Sequence, residues 1–187
     1  MDDFIVVDCQ YDFIDGTMAC KGGHEAVSGC IQFMETHDVR VCYTADWHTR
    51  SNKSFADNGG IWPVHCVEGT KGASLDDAFY SVKKKESRPG PRTIFRKGQN
   101  DDIEEYSGFY GYTDDGKRLC DLVSGHVYVG GIATEYCVKE TVRALLKGGH
   151  TVTLLLDGIA GVNEEDAKAA LQEMKDWGVQ FLSEKDR

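Results

Sequence analysis

Apolar residues fall along this chain in two rhythms. Short runs rich in Val, Ile, Leu and aromatic residues occur at Phe4–Val7, Val39–Thr44, Thr93–Phe95, His126–Val129, His150–Leu156 and Val179–Leu182. Runs of that length with little polar alternation predict strands buried on both faces of a sheet. Between them the apolar positions recur at helical spacing. Val27, Ile31 and Met34 share one face of a segment spanning about His24–Thr36. Val138, Val142, Leu145 and Leu146 do the same before Gly148-Gly149, and Asn163–Trp177 reads as a helix capped by Asn163. Leu75–Val82 and Gly116–Val123 predict two shorter helices, whereas Trp47–Ser74 is a Gly-rich stretch too long for an ordinary connection. Strands alternating with helices specify a parallel sheet with helices on both faces, and such sheets bind ligands beyond the carboxyl ends of their strands.

The segment Gly130–Gly149, GGIATEYCVKETVRALLKGG, is where this pattern meets chemistry. A strand ends at Gly130-Gly131, a sharp turn follows, and Thr134 is the expected N-cap of a helix, which puts Cys137 in its first turn. Unpaired N–H groups and the positive end of the helix dipole favour a thiolate there, and the same N–H groups can hold a carbonyl oxygen as it becomes an oxyanion. On this stretch alone Cys137 reads more readily as a small buried hydrophobe, as most free cysteines do. Asp8 and Lys97 add weight, because both stand just past predicted strands, as Cys137 does. A carboxylate to accept the thiol proton and a cation to favour the thiolate complete a set for nucleophilic catalysis.

A second constellation is metal-like. Asp46 and His48 form a D-x-H at the end of the second strand, and His65 lies in WPVHC. One carboxylate and two imidazoles suit zinc, manganese or iron with coordination positions left open. The other four histidines, His24, His37, His126 and His150, sit near element ends and read as structural or solvent-facing.

Size and charge narrow the classes. A chain of 187 residues forms one domain, residues 1–187, with a sizeable core. A net charge of −10 without a compensating basic stripe argues against nucleic-acid and anionic-membrane partners. No apolar run is long enough to cross a bilayer, and the opening MDDFIVVDCQ lacks the basic region of a secretory signal. Seven dispersed cysteines without a C-x-x-C suit reduced thiols in the cytoplasm. A homo-oligomer is left open.

Five stretches together carry a resemblance: FIVVDCQYDFIDG (Phe4–Gly16), YTADWH (Tyr43–His48), WPVHCVEGTKGASL (Trp62–Leu75), FRKG (Phe95–Gly98) and GGIATEYCV (Gly130–Val138). In this order, over essentially the whole chain, they resemble the nicotinamidase group of the isochorismatase-like cysteine hydrolases. The resemblance implies a three-layer Rossmann-like fold with a six-stranded parallel sheet. It also implies hydrolysis of nicotinamide, and of pyrazinamide, through a cysteine thioester, in NAD salvage. By resemblance Asp8, Lys97 and Cys137 are the catalytic triad, and Asp46, His48 and His65 hold one divalent metal that orients the ring nitrogen. The N–H groups of Ala133 and Cys137 form the oxyanion hole, after a cis peptide at Ile132-Ala133. Phe13, Trp62, Tyr106 and Tyr136 form an aromatic wall about the ring. Some members have a further ligand between the two metal-binding stretches. Here that region, TRSNKSFADNGG, has no histidine, and Asp57 is the candidate, with Ser54 acting through a bound water.

Two other readings compete. One is another amidase of the superfamily, such as a carbamoylsarcosine or ureidoacrylate hydrolase, though these generally lack the D-x-H and WPxHC metal set. The other is a non-catalytic metal-binding protein that uses Cys137 as a redox sensor. Asp8 and Lys97 favour turnover.

Overall fold

The computed structural model describes residues 1–183. Six strands form one all-parallel sheet: β1 (Asp2–Val7), β2 (Val39–Asp46), β3 (Ile94–Lys97), β4 (His126–Ile132), β5 (Thr151–Ala160) and β6 (Gln180–Leu182). Their order is β3-β2-β1-β4-β5-β6. The chain runs outward from β1 to β3, then returns to the other side of β1. The direction of winding therefore reverses between β1 and β4, where open α/β sheets place their ligands.

Both faces of the sheet are covered, which explains the unbroken apolar strands. Phe4 and Val6 of β1 pack with Cys30, Phe33 and Met34 of α2 (Gly23–Thr36). Ile5 and Val7 point the other way, into a core shared with Val142 and Leu145 of α4 (Lys139–Lys147) and Met174 of α5 (Glu164–Asp176). Two one-turn helices, α1 (Tyr11–Ile14) and α3 (Leu119–Leu122), complete the layers. Asn163 caps α5 through its side-chain oxygen, which accepts from Asp166 N–H at 3.0 Å. At the β1/β4 seam Gly131 has φ +115°, and a Cβ there would stand 2.0 Å from Val7 O, so only glycine fits.

Several elements differ from the pattern-based expectation. β5 runs four residues beyond Leu156, because Ile159 and Ala160 rejoin β4 after a register shift. Leu75–Val82 is a 3₁₀ turn over Asp77–Ser81, capped by Asp76. Only Leu119–Leu122 of Gly116–Val123 is helical, because Thr113 ties Lys117 into a tight loop through backbone and hydroxyl bonds. The long Trp47–Ser74 stretch holds two 3₁₀ turns and otherwise irregular chain. No helix among the described residues is long and apolar enough to cross a membrane.

Candidate active site

Three strand ends and one turn bring the candidate residues together. Asp8 immediately follows β1, Asp46 is the last residue of β2, and Lys97 is the last of β3. Cys137 lies beyond β4 on a turn, Thr134–Val138, that is π-helical rather than α-helical. Ala133 occupies the N-cap position and Thr134 makes no side-chain cap, so the expected Thr134 cap is not formed. The Val138 N–H bonds back to Ala133 O across five residues, a wider loop characteristic of functional sites. The Ile132–Ala133 peptide is cis.

Lys97 is the hub. Its Nζ lies 2.9 Å from Asp8 Oδ2, bonds to Asp46 Oδ1, and reaches Cys137 Sγ at 3.4 Å and Glu105 O at 3.2 Å. All four side chains are buried. Asp8 sits in the left-handed region (φ +46°), where Asx residues are tolerated, and its Oδ1 accepts from the Thr44 hydroxyl at 2.6 Å. Its Oδ2 pairs with Lys97 but makes no directed hydrogen bond, which leaves that oxygen open to the thiol.

Burial and charge pull these groups in opposite directions. Burial pushes the Asp8 carboxyl above its usual range, against the nearby Lys97. Burial opposes ionisation of Asp46 too, but Lys97 and His48 outweigh it and hold that carboxyl well below the usual range. For Lys97 burial disfavours the charge, yet Asp46 and Asp8 dominate and hold it protonated. Burial drives the Cys137 thiol well above its ordinary value despite Lys97. The N–H groups of the turn favour a thiolate, and desolvation outweighs them in this pocket. The resting thiol therefore keeps its proton until a base removes it.

Beside this group, Asp46, His48 and His65 place one ligand atom each within 4.8 Å of one another, all buried. His48 Nδ1 faces Gly98 O at 2.7 Å and His65 Nδ1 faces Pro63 O at 2.8 Å. A carbonyl only accepts, so each neutral ring carries its proton on Nδ1 and presents the Nε2 lone pair. The two Nε2 atoms lie 3.4 and 3.8 Å from Asp46 Oδ2. Backbone carbonyls that fix the tautomer are the usual outer support of a metal-binding histidine. The donor set fits a divalent first-row metal. Ser54 supports the fit, since its hydroxyl is buried beside His48 and His65 in the same cleft with no hydrogen-bond partner. Asp57 is exposed on the turn Ala56–Asn58, which Asn58 anchors to Arg50 O and Asn52 O, and stands outside the cluster.

The cleft between the two groups is aromatic. Phe13 packs on the His65 ring at 5.4 Å, and Tyr136 meets Trp62 at 5.1 Å and Tyr106 at 5.7 Å. Sequence reasoning missed several supports. Gln10 clamps the Asp46 backbone, accepting from its N–H at 2.8 Å and donating to its carbonyl at 2.7 Å. Glu104 Oε1 accepts from Trp62 Nε1 at 2.7 Å and from the Tyr106 hydroxyl at 2.5 Å. Gln10 stands two residues after Asp8, a spacing that could have marked it. Nothing local marks Glu104.

A parallel sheet whose strand ends gather a buried cysteine, carboxylate and lysine has the form of an α/β cysteine hydrolase. The isochorismatase domain profile matches residues 101–186. Nicotinamidase of Escherichia coli K12 is 31% identical, over 91% of this chain and 89% of that one. The pyrazinamidase of Pyrococcus horikoshii, solved in complex with zinc, is 35% identical with a TM-score of 0.82, covering 97% of this chain and 98% of that one. The yeast nicotinamidase Pnc1p bound to nicotinaldehyde is 27% identical with a TM-score of 0.84, over 98% and 100%. The chain belongs to the isochorismatase family and, within it, to the nicotinamidase/pyrazinamidase group.

Proposed function

We propose that this chain hydrolyses nicotinamide to nicotinate and ammonia, and acts on pyrazinamide as well. The observation that carries the reading is the meeting of Cys137, Lys97 and Asp8 beside an Asp–His–His cluster in one aromatic cleft. Relatives named for the same activity over nearly the whole chain support it.

Asp8, with its carboxyl raised by burial, is suited to take a proton and give it back. It accepts the Cys137 thiol proton as sulfur attacks the carboxamide carbon. The N–H groups of Ala133 and Cys137 hold the oxyanion. The C–N bond breaks as Asp8 returns the proton to nitrogen, ammonia leaves, and a thioester remains. Water then gives a proton to Asp8 and attacks the thioester, which releases the carboxylate and restores the thiol. Lys97 keeps the developing negative charges beside a fixed cation throughout. Asp46, His48 and His65 would hold zinc, with manganese or iron meeting the same donors, and the bound ion would supply a Lewis-acidic position for a ring nitrogen.

The test is an ammonia-release panel on metal-loaded and chelator-treated protein. Nicotinamide and pyrazinamide should be hydrolysed and should lose activity with the metal. Benzamide, which has no ring nitrogen, should be poor from the start and lose little more. Hydrolysis of other small amides but neither of these two would make the chain a different amidase of the family.

A further inference from the structure

Glu135 is buried two residues before Cys137, and the chemistry above does not use it. Its side chain does not line the cleft and reaches the loop that follows β5. There Oε1 accepts from Val162 N–H at 2.6 Å and from Asn163 N–H at 2.9 Å. Val162 lines the cleft, and Asn163 is the cap that starts α5. The second oxygen, Oε2, is buried without a hydrogen-bond partner. Gly161 makes room for it, since a Cβ there would stand 2.6 Å from Oε2.

We propose that Glu135 is a positioning residue for the nucleophile: its two backbone bonds pin the Cys137 turn to the Val162–Asn163 loop and so fix the thiol against Lys97 and the cleft. The first turn is π-helical and lacks a side-chain cap of its own, so its placement depends on what holds it from outside. Glu135 is a direct hydrogen-bonded tie from this turn to the other wall of the cleft, and the same turn carries Tyr136. A displacement of about 1 Å in a reacting group costs on the order of 100-fold in rate. The inference rests on Cys137 being the nucleophile.

Three variants test it, with kcat, KM, melting temperature and the iodoacetamide labelling rate at Cys137 measured on each. Glu135→Ala should lose about 100-fold in kcat with KM changed much less, because Phe13, Trp62 and Tyr106 still hold the ring. Its Cys137 labelling should slow as the thiol leaves Lys97. Glu135→Gln keeps an acceptor oxygen for both N–H groups and should recover most of the loss. Gly161→Ala leaves the carboxylate in place chemically but drives it aside, and should reproduce the kcat loss even if Glu135→Ala does not fold. Glu135→Ala or Gly161→Ala with native kcat and a lower melting temperature would overturn the proposal, leaving Glu135 a stabilising residue. Glu135→Gln as impaired as Glu135→Ala would overturn it too, since charge rather than the two bonds would then matter. If the wild-type protein releases no ammonia, the reading of the site fails, and the labelling rates still decide whether Glu135 holds the turn.

Discussion

Cys137 is one of six buried thiols, and burial alone does not distinguish it. Cys9 adjoins Asp8, but its hydrogen bond with Cys30 and its burial push it well above the ordinary thiol value, and burial does the same to Cys66. Cys137 differs in lining the cleft with an ammonium 3.4 Å away. Cys137→Ala should abolish turnover without changing the melt or metal content. Intact-mass and peptide mapping after trapping with an aldehyde analogue should place the adduct on Cys137, and an adduct on Cys9 or Cys66 would move the nucleophile. Lys97→Met makes a harsher test than its similar length suggests. It leaves Asp8 and Asp46 buried without their common partner, which costs roughly 3–5 kcal/mol. The variant should melt far earlier, and iodoacetamide should label Cys137 at least about tenfold more slowly near neutral pH, since the charge opposing desolvation is gone. Unchanged labelling would assign thiol activation to the turn alone.

Among the elements, the ends of β1, β2 and β3 act as one platform because side chains lock them to each other. Gln10 is the clearest lock, bonding both backbone groups of Asp46 and also donating to Ala73 O at 2.8 Å. Gln10→Ala leaves three buried backbone groups unpaired, a loss of about 1–3 kcal/mol for each group that water does not reach. It also frees Asp46 to shift away from His48 and His65. Metal affinity, measured by competition with a chelator, should fall about 10- to 100-fold. Native affinity in a folded variant would show that the β2 ladder alone holds Asp46.

For the whole molecule, buried thiols give stability an alkaline limit. Burial pushes Cys42 up to about 12, with Asp3 adding to it, whereas an unfolded thiol titrates near 8.5. Below the unfolded value the contribution is fully present. As pH rises towards 12 the unfolded chain releases a proton that the native state retains, so stability is lost. Each such thiol removes up to about 1.4 kcal/mol per pH unit in that window. Urea melts at pH 7.5 and 10.5 should show the native protein losing about 3 kcal/mol more than Cys42→Val over this range, and equal losses would mean that Cys42 ionises freely in the folded chain.

What the sequence determined was local and periodic. Continuous apolar strands required a sheet covered on both faces, and strand–helix alternation required parallel pairing. Asp8, Asp46, Lys97 and Cys137 could be placed at strand ends because strand ends are marked by a change in polarity. Tertiary structure decided what depends on neighbours distant in sequence. A π-helical turn, with Ala133 rather than Thr134 at its N-cap position, replaced a capped α-helix where the chain passes from β4 towards α4 and packs against α5. Cys137 keeps its proton because desolvation depends on every side chain around it. Asp57 turned outward with a short 3₁₀ turn that Asn58 anchors. Gln10, Glu104 and Glu135 act through partners 36, 42 and 27 residues away, distances at which no spacing rule operates and only the folded chain defines the contact.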